Sequence, residues 1–182
     1  MAFGLLLAQL AFAQDLATRL ADPEMRYAAV KSIVDSGGKD LALLLSWTEV
    51  PPSGVNLFQL NLGLIEAFRR LRAKEAIPFL IRHMADDISG INNGNIWMKA
   101  DSVVETRLPA IDALIAVGPE ASKALIAAPW DKMRLDEQIA ALFIVSRIAD
   151  PAARDFLMSF HVLDAREARY VREGLQRIQE HR

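Results

Sequence analysis

Apolar residues return along this chain every three or four positions, in blocks that are alternately long and short. Met25, Ala28, Ala29, Ser32 and Ile33 share one helical face within DPEMRYAAVKSIVDSG, residues 22–37. Leu57, Leu60, Leu64, Ile65, Phe68 and Leu71 do the same over residues 55–73. The pattern predicts long helices starting near residues 22, 54, 102, 131 and 164, and short helices over 39–47, 74–84, 119–129 and 151–160.

The punctuation agrees with the pattern. Asp22 suits an N-cap, Pro23 the first helical position, and Gly37-Gly38 a stop. Pro51-Pro52-Ser53-Gly54 breaks the next block. Ser102 and Glu105 are spaced as a capping box, and Pro109 either kinks that helix or marks its true start near Leu108. Trp130 and Leu135 are spaced for a hydrophobic staple around an Asp131 N-cap. Asp164 and Glu167 suit the start of the last helix.

The long helices recur at spacings of roughly 32, 48, 29 and 33 residues, a period of helical repeats. The one long gap holds DDISGINNGNIWMKADS, residues 86–102. ADPEMRYAAVKSIVDSGG resembles the second-helix signature of HEAT repeats, KEAIPFLIRHMAD resembles a first helix, and RLPAIDALIAVGPEASKALI resembles a junction between bacterial HEAT-like units. PPSGVNLFQL departs from the pattern, because it lacks the Asp-Pro-x-x-Arg opening. The resemblance spans most of residues 15–180. It implies an all-α chain of the HEAT-like, PBS-lyase type: a right-handed α-α superhelix, or armadillo-type solenoid, of about four to five helix pairs. It also implies a scaffold for other macromolecules, and makes Asp22, Pro23 and Arg26 structural, with Arg26 resembling the family's Asp–Arg ladder.

Composition supports helix. Hydrophobic residues make up 52% and aromatic ones only 7%, and the excess is Ala and Leu. The net charge of −2 argues against a general nucleic-acid binder. With no cysteine, disulfides, thiolate metal sites and cysteine nucleophiles are excluded. MAFGLLLAQLAFAQD has an apolar run closed by Ala11-Phe12-Ala13, with small residues where a leader peptidase requires them. Residues 1–13 are therefore expected to be a signal peptide, although no Lys or Arg precedes the run; the other reading is a buried first helix. The run is too short to span a bilayer, so the mature chain is expected to carry no membrane span. Residues 14–182 would then be one repeat domain with an insertion at 86–102, secreted or periplasmic if the leader is removed and cytoplasmic if not.

Candidate chemistry is sparse. Asn92, Asn93 and Asn95 form a polar turn beside Trp97, either a recognition loop with an aromatic anchor or a loop folded back over the repeats. Arg69, Arg72, Arg107 and Arg134 lead a series of long-helix arginines that either bind phosphate or acidic segments, or pair with carboxylates such as Glu66 and Glu105. His83, His161 and His181 have no partner at metal spacing, and Trp47 reads as packing at a repeat junction. No catalytic fingerprint, metal site or cofactor site is found. The expected function is a non-catalytic scaffold, not an enzyme, that binds a protein or peptide outside the cytoplasm. One alternative is a nucleic-acid-directed protein resembling HEAT-like DNA glycosylases. A second is a lyase-accessory protein.

Overall fold

The computed structural model describes residues 2–88, 101–163 and 165–180. It is all-helical, with eleven α-helices and no strand among the described residues. The chain packs as two compact units, Met1–Leu71 and Arg72–Arg182.

The first unit holds α1 (Ala2–Ala21), α2 (Arg26–Asp35), α3 (Leu41–Trp47) and α4 (Leu57–Leu71). α1 packs on α4 and α2, and α2 on α4. Leu16, Ala17 and Leu20 of α1 are buried with Ala29, Val30 and Ile33 of α2 and Leu60, Leu64 and Phe68 of α4. Gly63 is what lets α1 and α4 meet: a Cβ there would stand 2.5 Å from the Leu20 carbonyl oxygen. Trp47 is buried at the end of α3, where a packing role belongs.

Asp22 accepts hydrogen bonds from the Glu24 N–H at 2.8 Å and the Met25 N–H at 3.3 Å. Those bonds shape a turn, and the α-helix begins only at Arg26. Pro23 therefore precedes the helix instead of opening it. The buried face is also rotated from the expected one: Met25, Ala28 and Ser32 are exposed, whereas Val30 is buried beside Ala29 and Ile33. The reason is tertiary, since α1 and α4 both press on α2. Gly37 and Gly38 end the helix with positive φ, as their sequence position implies.

The second unit opens with a 3-10 turn at Lys74–Ala76 and α5 (Ile77–Arg82). α6 (Asp101–Arg107) and α7 (Pro109–Val117) are one long block divided at Pro109, with Leu108 in a non-helical conformation. Gly118, at φ 86°, turns the chain directly into α8 (Pro119–Ile126). α9 (Leu135–Ile148), α10 (Arg154–Ser159) and α11 (Ala165–Glu180) follow.

α9 is the centre of this unit. Every residue from Ile139 to Ser146 is buried, and α7, α8 and α11 pack around it. A helix apolar on all sides has to be enclosed in this way. α11 instead buries a single stripe, Glu167, Tyr170, Gly174 and Ile178, and is charged elsewhere. Phe143 meets Tyr170 edge to face at 5.2 Å, and Ser146 meets the Gly174 backbone and Arg177. Contacts advance in the same sense along both helices, so α9 and α11 run parallel and pack directly on each other, with α10 connecting them in the chain.

The start of α9 differs from expectation. Trp130–Lys132 forms a 3-10 turn, and Arg134, not Asp131, is the N-cap, its N–H donating to Glu137 Oε2 at 2.8 Å. Leu135 stays exposed, so it forms no staple with Trp130. Glu105 pairs with Arg147 at 2.9 Å rather than closing a capping box. Glu167 does serve the start of α11, accepting from the Leu163 N–H at 2.6 Å.

Candidate functional site

The arginines singled out in the sequence divide between the units. In the first, the Arg69 guanidinium makes two hydrogen bonds to the Glu66 carboxylate, at 2.8 and 3.0 Å, and Arg70 adds a third at 2.6 Å. Burial pushes the Glu66 carboxyl up, but these bonds outweigh it and hold the carboxyl below its ordinary value. Arg70 also lies over the exposed Tyr27 ring at 5.1 Å.

Arg26 has a structural position. It donates to the Leu20 carbonyl at 3.0 Å, the Gln59 carbonyl at 3.2 Å and Gln59 Oε1 at 2.6 Å, and so clips the end of α1 to α4. Burial lowers its guanidinium below the ordinary value, and the Asp22 charge opposes that. The side chain thus donates to two backbone carbonyls and a side-chain amide, where the resemblance to a ladder implied carboxylates.

In the second unit, Arg107 forms a two-point ion pair with Asp87, and its carbonyl accepts from the Ile88 N–H at 2.9 Å. These contacts tie the entry of the 86–102 segment to the end of α6. Residues 101 and 102 already belong to α6. Asn92, Asn93, Asn95 and Trp97, together with Asp164 and His181, lie outside the described residues. Arg134 is exposed and pairs with Asp136 at 3.4 Å and Glu137 at 3.2 Å, which offsets a cation at a helix N-terminus. Arg72 is exposed just past α4, at φ 49°, with no carboxylate partner among the described residues. On α11, Arg169 reaches Asp101 and Glu173, both at 2.8 Å, and Arg177 joins the same carboxylates. The guanidinium groups therefore mostly meet the protein's own carboxylates, and Arg107 and Arg134 share none of them.

His83 sits against Phe79, with Nδ1 2.7 Å from Asp86 Oδ2, and His161 is exposed. Among the described residues no group of three or more His, Cys, Asp or Glu could hold a metal ion. No described helix is long and apolar enough to cross a membrane.

The feature with recognition chemistry is one the sequence reading did not single out. Trp130 meets Phe156 at 5.2 Å and Phe160 at 5.3 Å, and the two phenylalanines lie 5.7 Å apart. The Trp130 indole N–H donates to the Leu125 carbonyl at 2.9 Å, which fixes the ring's orientation. All three residues are half-buried. The same stretch of chain exposes Met158 at 62% and Leu163 at 69%. A cleft of about 580 Å³ opens in this unit between α8 and the turn before α10, lined by Ile126, Ala127 and Ala152 with Glu120, Lys123 and Asp150. Phe156 and Phe160 stand four apart in the sequence, with Phe156 on α10 and Phe160 at its extended end. The arrival of Trp130 from the α8–α9 connection has no signal in the sequence.

Comparison with family models, with curated proteins and with solved structures finds no match to this chain.

Proposed function

We propose that the protein is a non-catalytic helical scaffold, of the solenoid kind its repeats resemble, that binds a protein or peptide partner outside the cytoplasm. The observation that carries the reading is the half-buried Trp130–Phe156–Phe160 cluster, in a stretch of chain that also exposes Met158 and Leu163. Aromatic rings held rigid by packing and still partly exposed lose little entropy on binding, and are typical anchors of protein interfaces. An amphipathic partner helix, laid along such a surface, is the matching chemistry. Parallel α9 and α11, joined in the chain through short α10, also fit a repeat stack.

The engagement of the arginines by Glu66, Asp87, Glu105, Asp101 and Glu173 weighs against the nucleic-acid alternative. A cation already paired with a carboxylate gains less from a phosphate.

The test is photo-crosslinking in the native cells from probes at Met158 and at Leu163, with a probe at Lys39 as control. One protein is expected to be trapped from the first two positions only. Purified, it should bind the wild type, and Leu163→Asp should weaken that binding about tenfold or more. Equal trapping from all three positions, or competition by a DNA duplex, would overturn the proposal.

A further inference from the structure

In the second unit Arg107, Arg134, Arg147, Arg169 and Arg177 all pair with the protein's own carboxylates. Arg154 of α10 does not. It is exposed and meets no carboxylate among the described residues, its exposed neighbour Asp155 included. It lines a groove of about 340 Å³ between α10 and α11, together with Met158, Leu175, Ile178 and Gln179. Ile178 is buried, Leu175 half-buried, and Met158 exposed at 62%, so the groove runs from core to solvent along apolar side chains. At that size it suits a few side chains rather than a large cofactor.

Arg154 and Met158 stand one turn apart on α10, about 160° round the helix from Phe156. Leu157, between the two directions, is buried. The groove and the aromatic cluster therefore lie on opposite flanks of α10, and a helix laid across α10 would meet both.

We propose that this groove sets the chemistry of the partner helix: an apolar side chain seated on Leu175 and Ile178, and a carboxylate one helical turn away on Arg154. The inference rests on the partner reading above and adds what that partner must carry. The cation and the apolar walls together select it. An uncompensated guanidinium favours a carboxylate, with which it can form two parallel hydrogen bonds. A phosphate would satisfy Arg154 as well, but would leave Met158 and Leu175 without apolar contact. Residues one turn apart on a partner helix match the spacing of Arg154 and Met158 on α10.

The experiment is selection from a displayed library of amphipathic helices on the purified full chain, with Glu, Gln and Lys offered one turn from Leu. Parallel selections use the variants Arg154→Glu and Leu163→Asp. Both positions are exposed, so both variants should keep the wild-type thermal midpoint. Wild type is expected to enrich Glu one turn from Leu. Arg154→Glu should switch the enrichment to Lys, and should bind the Glu helices about fivefold or more weakly. Leu163→Asp should weaken all binders alike, whatever stands at the acidic position. Helices that show no preference for Glu, and bind wild type and Arg154→Glu equally, would overturn the acidic requirement. If Leu163→Asp still weakens them, the partner reading stands without it. No helix bound by wild type would overturn both.

Discussion

Ser122 is fully buried on α8, and its hydroxyl meets no hydrogen-bond partner among the described residues. A buried polar group without a partner loses its hydration and gains nothing back. Ser122→Ala is therefore expected to stabilise the protein by about 1 kcal/mol, read as a raised denaturation midpoint at unchanged slope. Tyr170 gives a pH signature of the same physics. Burial of its phenol, opposed by the Arg169 charge, pushes it up to about 12 from 10.0. The unfolded chain releases this proton first. The contribution is thus whole below pH 10 and is lost as pH rises from 10.0 towards about 12. Its loss is on the order of 2–3 kcal/mol. Denaturation of wild type and Tyr170→Phe across that range checks it: the mutant should lack this part of the alkaline decline.

Between elements, the decisive residues are those that let backbones approach. A Cβ on Gly63 would collide with the Leu20 carbonyl oxygen, an atom that cannot move without moving α1. A Cβ on Gly174 would meet Leu157 Cδ1 at 2.9 Å and the Ser146 backbone at 3.0 Å. Gly63→Ala is expected to cost about 1–3 kcal/mol, even after the gain in helix propensity. Gly174→Ala should cost less, because one of its obstacles is a flexible side-chain tip. Urea denaturation of the two variants gives the comparison, and a stabilised Gly63→Ala would contradict the packing of α1 on α4. Neither glycine announces this role in the sequence, where an isolated glycine in a helical pattern reads only as a weak point. The divided block at Pro109, by contrast, was legible, because a proline ring excludes the preceding helical conformation locally.

For the whole molecule, the described residues of α1 bear on the N-terminus. Leu10 and Phe12 contribute little to burial, whereas Leu16, Ala17 and Leu20 are core. On the proposal that residues 1–13 are a leader, a chain of residues 14–182 is expected to fold with the thermal midpoint of the full chain, by circular dichroism. A chain shortened to residue 21 would lose three buried apolar side chains and is expected to fall by several kcal/mol. A large drop on removing residues 1–13 would instead mark them as part of the core.

That this chain is helical, where most of its helices lie, and that proline and glycine divide them can be read from its residues alone. Those are local matters, set by backbone sterics and by the period of apolar residues over a few turns. The pairing of Glu66 with Arg69 and Arg70, three and four residues away, is local in the same sense, whereas Arg107–Asp87, Arg147–Glu105 and Arg169–Asp101 join residues far apart in the chain. Only the tertiary structure decided which face of α2 is buried, that α9 is enclosed, and that Arg26 reaches two helices. It alone brought Trp130 to Phe156 and Phe160. Each of those depends on residues distant in the chain, and the free energy of burying a surface has no value until its neighbour is in place.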